Sequence, residues 1–149
     1  MIQFPITDLL DQDQCYRFLL QTLHPDGLHC PNRHPLPEDQ APHDRKRAPL
    51  VKYRCRSCGT VFNIFTGTVW AGTQYDCATV VMVLRGFAQG VPTLHLAQEL
   101  SLDYSTLLDR RHRLQGLALQ NCDKAALPDA EVEADELYQN AGEKRRPAP

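Results

Sequence analysis

The chain has no apolar run approaching the roughly 20 residues that cross a bilayer as a helix. Its first residues, Met1-Ile2-Gln3-Phe4-Pro5, lack the basic start of a secretory signal. The expectation is a soluble, cytoplasmic protein with no membrane partner. Positive charge is not in excess either: a formal net charge of -2 over 149 residues excludes a uniformly basic nucleic-acid coat, so any anionic partner has to be sought in how charge is distributed. Cysteine is sparse, with six residues thinly spread, which does not make a secreted disulfide framework. The length accommodates one ordinary domain or two or three very small ones.

What is present begins with two pairs of metal-ligand residues. Cys30-Pro31-Asn32-Arg33-His34 closes one pair over three residues, and Cys55-Arg56-Ser57-Cys58-Gly59 closes a second over two. Together they supply the four donors of a tetrahedral zinc site. The second pair is the stronger signal, because Cys-x-x-Cys aims both sulfurs at one ion and the following glycine can take the positive φ of the turn. In the first pair Arg33 stands where a second cysteine would stand, so His34 is assigned by proximity. Four unlinked loop residues, or a disulfide, are the alternatives. His24, His29 and His43 do not sit at knuckle spacing and read as surface or loop residues.

Leu28-His29-Cys30 and Val51-Lys52-Tyr53-Arg54-Cys55 read as short strands entering the two knuckles, and Val61-Phe62-Asn63-Ile64-Phe65 as the strand leaving the second. That is the layout of a zinc ribbon, whose core is small enough that the metal supplies much of its folding free energy. The insert from 35 to 49 carries four prolines among polar neighbours and reads as a surface loop. Charge here is one-sided: from Arg45 to Tyr75 the charged residues are Arg45, Lys46, Arg47, Lys52, Arg54 and Arg56. A solvated face is the ordinary meaning of such a run, but a metal-pinned ribbon with unbalanced cations points to phosphate contact. Beyond Asp123 the balance is acidic.

Helical periodicity surrounds the ribbon. Asp11-Gln12-Asp13-Gln14 looks like a helix start, followed by a stripe of Cys15, Phe18, Leu19 and Leu23. Thr66 to Thr73 forms a glycine-punctuated linker with Trp70 as a packing anchor. Cys77, Val80, Val81, Leu84 and Phe87 make a second stripe that stops at Gly90 and Pro92. Thr93 can cap a short helix with Leu94, Leu96, Ala97 and Leu100. A last helix after Ser101-Leu102-Asp103 carries Leu107, Leu108, Leu114 and Leu117. Two helices across a short turn, the second polar and basic, fit a helix-turn-helix as well as a plain three-helix bundle. In the former, Tyr104, Ser105, Thr106, Asp109 and Arg110 face the DNA, with Arg111 and Arg113 on the same helix. Cys77 and Cys122 read as structural. Glu131, Glu133 and Asp135 alternate with Val132 and Ala134, which on a strand places three carboxylates on one face; an exposed acidic edge is the plainer reading of the same residues from spacing alone.

Several stretches in this order resemble DDE-type insertion-sequence transposases with an N-terminal zinc ribbon. They are Phe4-Pro5, Pro25-Asp26-Gly27-Leu28-His29-Cys30-Pro31, Tyr53 to Gly59, Phe62 with Thr66 to Thr73, Gly90-Val91-Pro92 leading to Leu96-Ala97-Gln98-Glu99-Leu100, and Val132-Glu133-Ala134-Asp135-Glu136-Leu137-Tyr138. The resemblance implies that ribbon and helix-turn-helix bind double-stranded DNA at the element's terminal repeats, with self-association compatible with that role. It implies a ribonuclease-H-like domain to follow, with Asp135 the first of three acidic residues and Mg²⁺ the cofactor of a complete catalytic domain. Arg33-His34, Ser101 and Gln139-Asn140-Ala141-Gly142 depart from the family's pattern.

The expected fold is therefore a small α+β chain: a helical segment over 1–25, a zinc ribbon over 26–68, a helix-turn-helix unit over 74–120, and over 121–149 a truncated first strand of a ribonuclease-H-like domain with a tail. The second and third acidic residues are not in this sequence, so the expectation is a zinc-dependent DNA-binding portion of a transposase, inactive alone. The alternative is a stand-alone zinc-ribbon regulator or interaction module without catalysis.

Overall fold

The computed structural model describes Thr7 and residues 10–122. It is a small α+β arrangement of four helices and one two-stranded antiparallel sheet. The helices are α1 (Gln12–Leu23), α2 (Cys77–Ala88), α3 (Thr93–Glu99) and α4 (Tyr104–Gln120); the strands are β1 (Tyr53–Arg54) and β2 (Val61–Phe62). Asp135 and the acidic stretch around it, like Phe4-Pro5, lie outside the described residues. No helix among those described is long and apolar enough to cross a membrane.

Three of the helices begin where an aspartate can satisfy their free N–H groups. Asp11 accepts from the backbone of Asp13 and Gln14, Asp76 from Thr79, and Asp103 from Thr106. Thr93 does not cap α3. The helix starts after Pro92 with no side-chain cap, and Thr93 is buried with its hydroxyl against Arg111. A proline here needs no N–H partner, and the threonine is freed for packing.

The strands are shorter than the sequence pattern suggests. β1 and β2 pair Tyr53 with Phe62 and Arg54 with Val61, while the expected strand at 28–30 is reduced to a single bridge between His29 and Pro35. Asn63 ends β2 because its side-chain oxygen accepts from Phe65 N and its own N–H is taken by the Thr66 hydroxyl, a local turn that competes with the ladder. The insert is not a free loop. It folds back on the strand entering the second knuckle, where Lys52 exchanges backbone hydrogen bonds with Asp44 and Leu50 is buried.

One apolar cluster joins α1, the turns after β2, and α2 to α4. It includes Leu19, Phe65, Trp70, Val83, Leu96 and Leu107. Trp70 is 1 % exposed, so it anchors this core, and the residues it joins come from both sides of the stretch read as a linker. Phe18, expected on the buried stripe of α1, is 53 % exposed, whereas Cys15 and Leu19 face inward. Cys77 is buried as expected, but Cys122 is exposed. Leu117 is exposed as well, since the last turns of α4 run past their packing partners. A second, much smaller cluster holds Cys30, Cys55 and Phe62.

Candidate metal centre

Two turns of related geometry carry the four donor residues. In the first, Arg33 N–H donates to Cys30 O and Cys30 N–H to His34 O. In the second, Gly59 N–H donates to Cys55 O and Cys55 N–H to Thr60 O. Each turn closes through one residue with positive φ, Arg33 at 63° and Gly59 at 73°. This accounts for the irregular spacing of the first pair. Arg33 takes the left-handed conformation three residues after Cys30 and ahead of the second donor, whereas Gly59 takes it four residues after Cys55 and behind the second donor, so His34 comes one residue later in its turn than Cys58 in the other.

The donors converge. Cys30, His34, Cys55 and Cys58 bring one ligand atom each to within 4.8 Å of the others, close enough to hold a metal ion, and they form the only such group among the described residues. Cys30 Sγ lies 3.4 Å from Cys58 Sγ, and Cys55 Sγ lies 3.6 Å from His34 Nδ1. Cys30 and Cys55 are buried, His34 is half-buried and Cys58 is exposed, so the group sits at the surface with its inner side against Phe62. His24, His29 and His43 stay outside it. His24 Nε2 lies instead 2.7 Å from Ile64 O, tying the end of α1 to the turn after β2.

The surroundings set the protonation of the donors. The hydroxyl and N–H of Thr60, and then the side-chain amide of Asn32, favour the Cys58 thiolate and draw its pKa down to about 5. Cys55 is lowered as well, first by the N–H of Cys58. Burial pushes the Cys30 thiol up, and the Cys58 and Cys55 sulfurs beside His34 raise the imidazole. A cation at the centre of the four donors replaces the shared protons as the positive partner of the thiolates.

Asn32 is a contributor that spacing did not single out. Its backbone N–H donates to Cys30 Sγ at 3.5 Å and its side-chain amide to Cys58 Sγ at 3.4 Å, so one residue of the first turn orients a sulfur from each. Its position two residues after Cys30 is the only sequence signal for the backbone bond; the side-chain bond depends on how the turns meet.

The cations expected at a DNA surface fall into two groups. Arg45, Lys46 and Arg54 are exposed and make no ion pair among the described residues, while Lys52 faces Asp44 and Arg56 faces Asp39, each at 3.9 Å. Arg47 is committed to backbone oxygens of Thr73, Gln74 and Tyr75. Arg110 bonds Val69 O and Ala71 O. Arg111 bonds Val91 O and the Thr93 hydroxyl and lies over the Phe87 ring. Arg113 pairs with Asp109 at 2.9 Å. Tyr104, Ser105 and Thr106 are exposed at the first turn of α4, where the Ser105 hydroxyl donates to Asp103. The chain matches no family model, no curated protein and no solved structure.

Proposed function

We propose that Cys30, His34, Cys55 and Cys58 hold a structural zinc ion, and that the ribbon so pinned forms, with α3 and α4 as a helix-turn-helix, a double-stranded DNA-binding module of the kind the transposase resemblance implies. The observation that carries the reading is the convergence of three sulfurs and one imidazole on one point. Zinc bonds of about 2.3 Å to sulfur and about 2.0–2.1 Å to nitrogen imply tetrahedral edges of about 3.8 Å between sulfurs and about 3.6 Å between sulfur and nitrogen. The separations of 3.4 and 3.6 Å fit that figure to within a small adjustment. Four protein donors leave no open coordination position, so the ion is structural rather than catalytic.

The DNA-binding half rests on the short turn between α3 and α4, Leu100 to Asp103, and on the exposed cations of the ribbon. Asp135 lies outside the described residues and no catalytic step is assigned to this chain. The test is metal analysis of the purified protein together with fluorescence anisotropy on a labelled duplex. About one zinc per chain and binding that weakens steeply with salt support the reading. A protein free of zinc after refolding in its presence, or affinity unchanged by salt, defeats it.

A further inference from the structure

Within that DNA-binding reading, the structure separates two surfaces that the sequence treats alike. The first is the edge formed by the insert and β1. Backbone bonds join His43 and Asp44 to Lys52, Gln40 Nε2 donates to Arg54 O at 2.6 Å, and Asp39 faces Arg56, so residues 39–44 run antiparallel beside residues 52–56. Lys52 and Arg54, two apart on extended backbone, point to one side. Arg45 and Lys46 follow Asp44 where this pairing ends and the chain turns back toward Leu50, so they extend the edge on the far side of Lys52 from Arg54. Two carboxylates, Asp39 and Asp44, answer two of these cations across exposed 3.9 Å gaps; Arg45, Lys46 and Arg54 remain outward and unanswered among the described residues.

The second surface is the N-terminal end of α4, the conventional place for a helix-turn-helix to meet phosphate. Here that end is already occupied by an anion of the protein itself. The Asp103 carboxylate accepts from Thr106 N–H and from the Ser105 hydroxyl, both at 2.7 Å. Asp109 follows one turn later, paired with Arg113. The remaining arginines of this stretch, Arg110 and Arg111, are turned back onto backbone oxygens of the 69–71 turn and of Val91. A phosphate brought to this end would meet a carboxylate and find no uncommitted guanidinium.

We propose that the phosphate backbone of duplex DNA is met by Arg45, Lys46 and Arg54 on the insert–β1 edge, and not by the N-terminal end of α4. The proposal rests on the DNA-binding reading and specifies where its electrostatic contacts lie. The zinc site belongs to the same unit: by fixing Cys55 directly after β1 it holds Arg54 in place beside the insert.

The test compares wild-type protein with two variants, each loaded with zinc, by anisotropy on a short labelled duplex between about 0.05 and 0.2 M salt. In the first variant, Arg45→Gln, Lys46→Gln and Arg54→Gln are combined; in the second, Asp103→Asn removes the charge at α4 while keeping a competent cap. Zinc content and helical circular dichroism verify that both remain folded. Each lost phosphate contact lowers the slope of log affinity against log salt by about 0.9, so the triple variant is expected to lose about 2.7 from the slope and to bind roughly 100-fold more weakly at low salt. Asp103→Asn is expected to change affinity by less than about twofold. A wild-type slope in the triple variant, or roughly tenfold tighter binding by Asp103→Asn, overturns the assignment while leaving DNA binding intact. Zinc-loaded wild-type protein that fails to bind duplex even at the lowest salt defeats the underlying reading and this one with it.

Discussion

On the zinc-binding reading, the donor-bearing segment, or ribbon, and the helical unit reach order by different means. The ribbon has two residue pairs of sheet and an apolar cluster of Cys30, Cys55 and Phe62, two of which are donor residues. The helical unit buries Leu19, Phe65, Trp70, Val83 and Leu107 almost completely in one continuous core. Apolar burial at about 25 cal/mol per Å² can hold the second, but so small a cluster cannot offset the conformational entropy of some forty ordered residues in the first. With zinc bound as proposed, the comparison teaches that the same chain divides its stability between a metal and a core. The two regions are joined by apolar contacts, with Leu50, Ile64 and Phe65 in the helical core and Leu28 packed against both clusters, and by Arg47 and Arg110, which bond backbone oxygens of the 69–75 segment.

The largest effect that can break this comparison is loss of the metal. Cys55→Ser, or a strong chelator, is expected to abolish zinc binding and collapse amide protection in the ribbon, because structural zinc contributes on the order of 10–16 kcal/mol in small metallo-domains. Helical circular dichroism should survive in large part. Hydrogen exchange read by mass spectrometry distinguishes the regions, and full zinc with a native melting curve in Cys55→Ser would refute the ligand assignment.

Next in size is Trp70→Ala, which attacks the other half. Removing this side chain from the core is expected to destabilise the helical unit by about 3–5 kcal/mol and to lower its melting temperature. Zinc stoichiometry in the folded protein at low temperature should not change. A variant that lost its metal but kept its thermal transition would reverse the roles assigned to the two regions.

Smaller effects come from a matched pair of turns. Ser101, in the turn before α4, has φ 54° and Arg33, in the first knuckle, has φ 63°; both occupy the region in which only glycine is unstrained. Ser101→Gly is expected to stabilise the helical unit by about 0.5–1 kcal/mol, and Arg33→Gly to raise the apparent zinc affinity without shifting the helical transition. Chemical denaturation and competitive zinc titration measure the two separately. Destabilisation by Ser101→Gly would show that the side chain makes a contact worth more than the strain.

The smallest effect is the response to acid. Hydrogen bonds from the Ser105 hydroxyl and then Thr106 draw the Asp103 pKa down to about 2, below the usual carboxylate value of about 3.9. A carboxyl depressed in the folded state contributes stability that is present above about pH 4 and is lost as pH falls through about 2. Protons compete for the sulfur and imidazole donors of the ribbon at higher pH. Acid titration should therefore release zinc first and fray the start of α4 last, with zinc release and far-ultraviolet circular dichroism as the two readouts. Simultaneous loss of both would mean that the regions do not unfold independently.

How much of this was legible beforehand varies by element. The Asp11 start of α1 and the glycine of the second knuckle follow local rules that act over three or four residues, and they are found where spacing places them, whereas Thr93 does not cap α3. The strands are shorter than alternation suggests, because Asn63 and Thr66 close a local turn where alternation alone points to extension. Periodicity places Phe18 in the core, yet α1 presents only a narrow stripe to α2 and leaves that ring outside.

The sequence by itself determined the donor residues, the helices and most of their boundaries, since those depend on spacing, capping and the chemistry of side chains near one another along the chain. Only the tertiary structure decided which cations are available. Arg110, Arg111 and Arg47 are indistinguishable in sequence from Arg45 and Arg54, but a guanidinium within reach of unpaired carbonyls from a distant turn is drawn to them. It decided Gly86 as well: mid-helix glycine reads as a weakness, yet a Cβ there would stand 2.7 Å from Leu96 Cδ1, so the residue lets α3 lie close against α2. Contacts of this kind join residues far apart in the chain, and their strength depends on distances that no local pattern encodes.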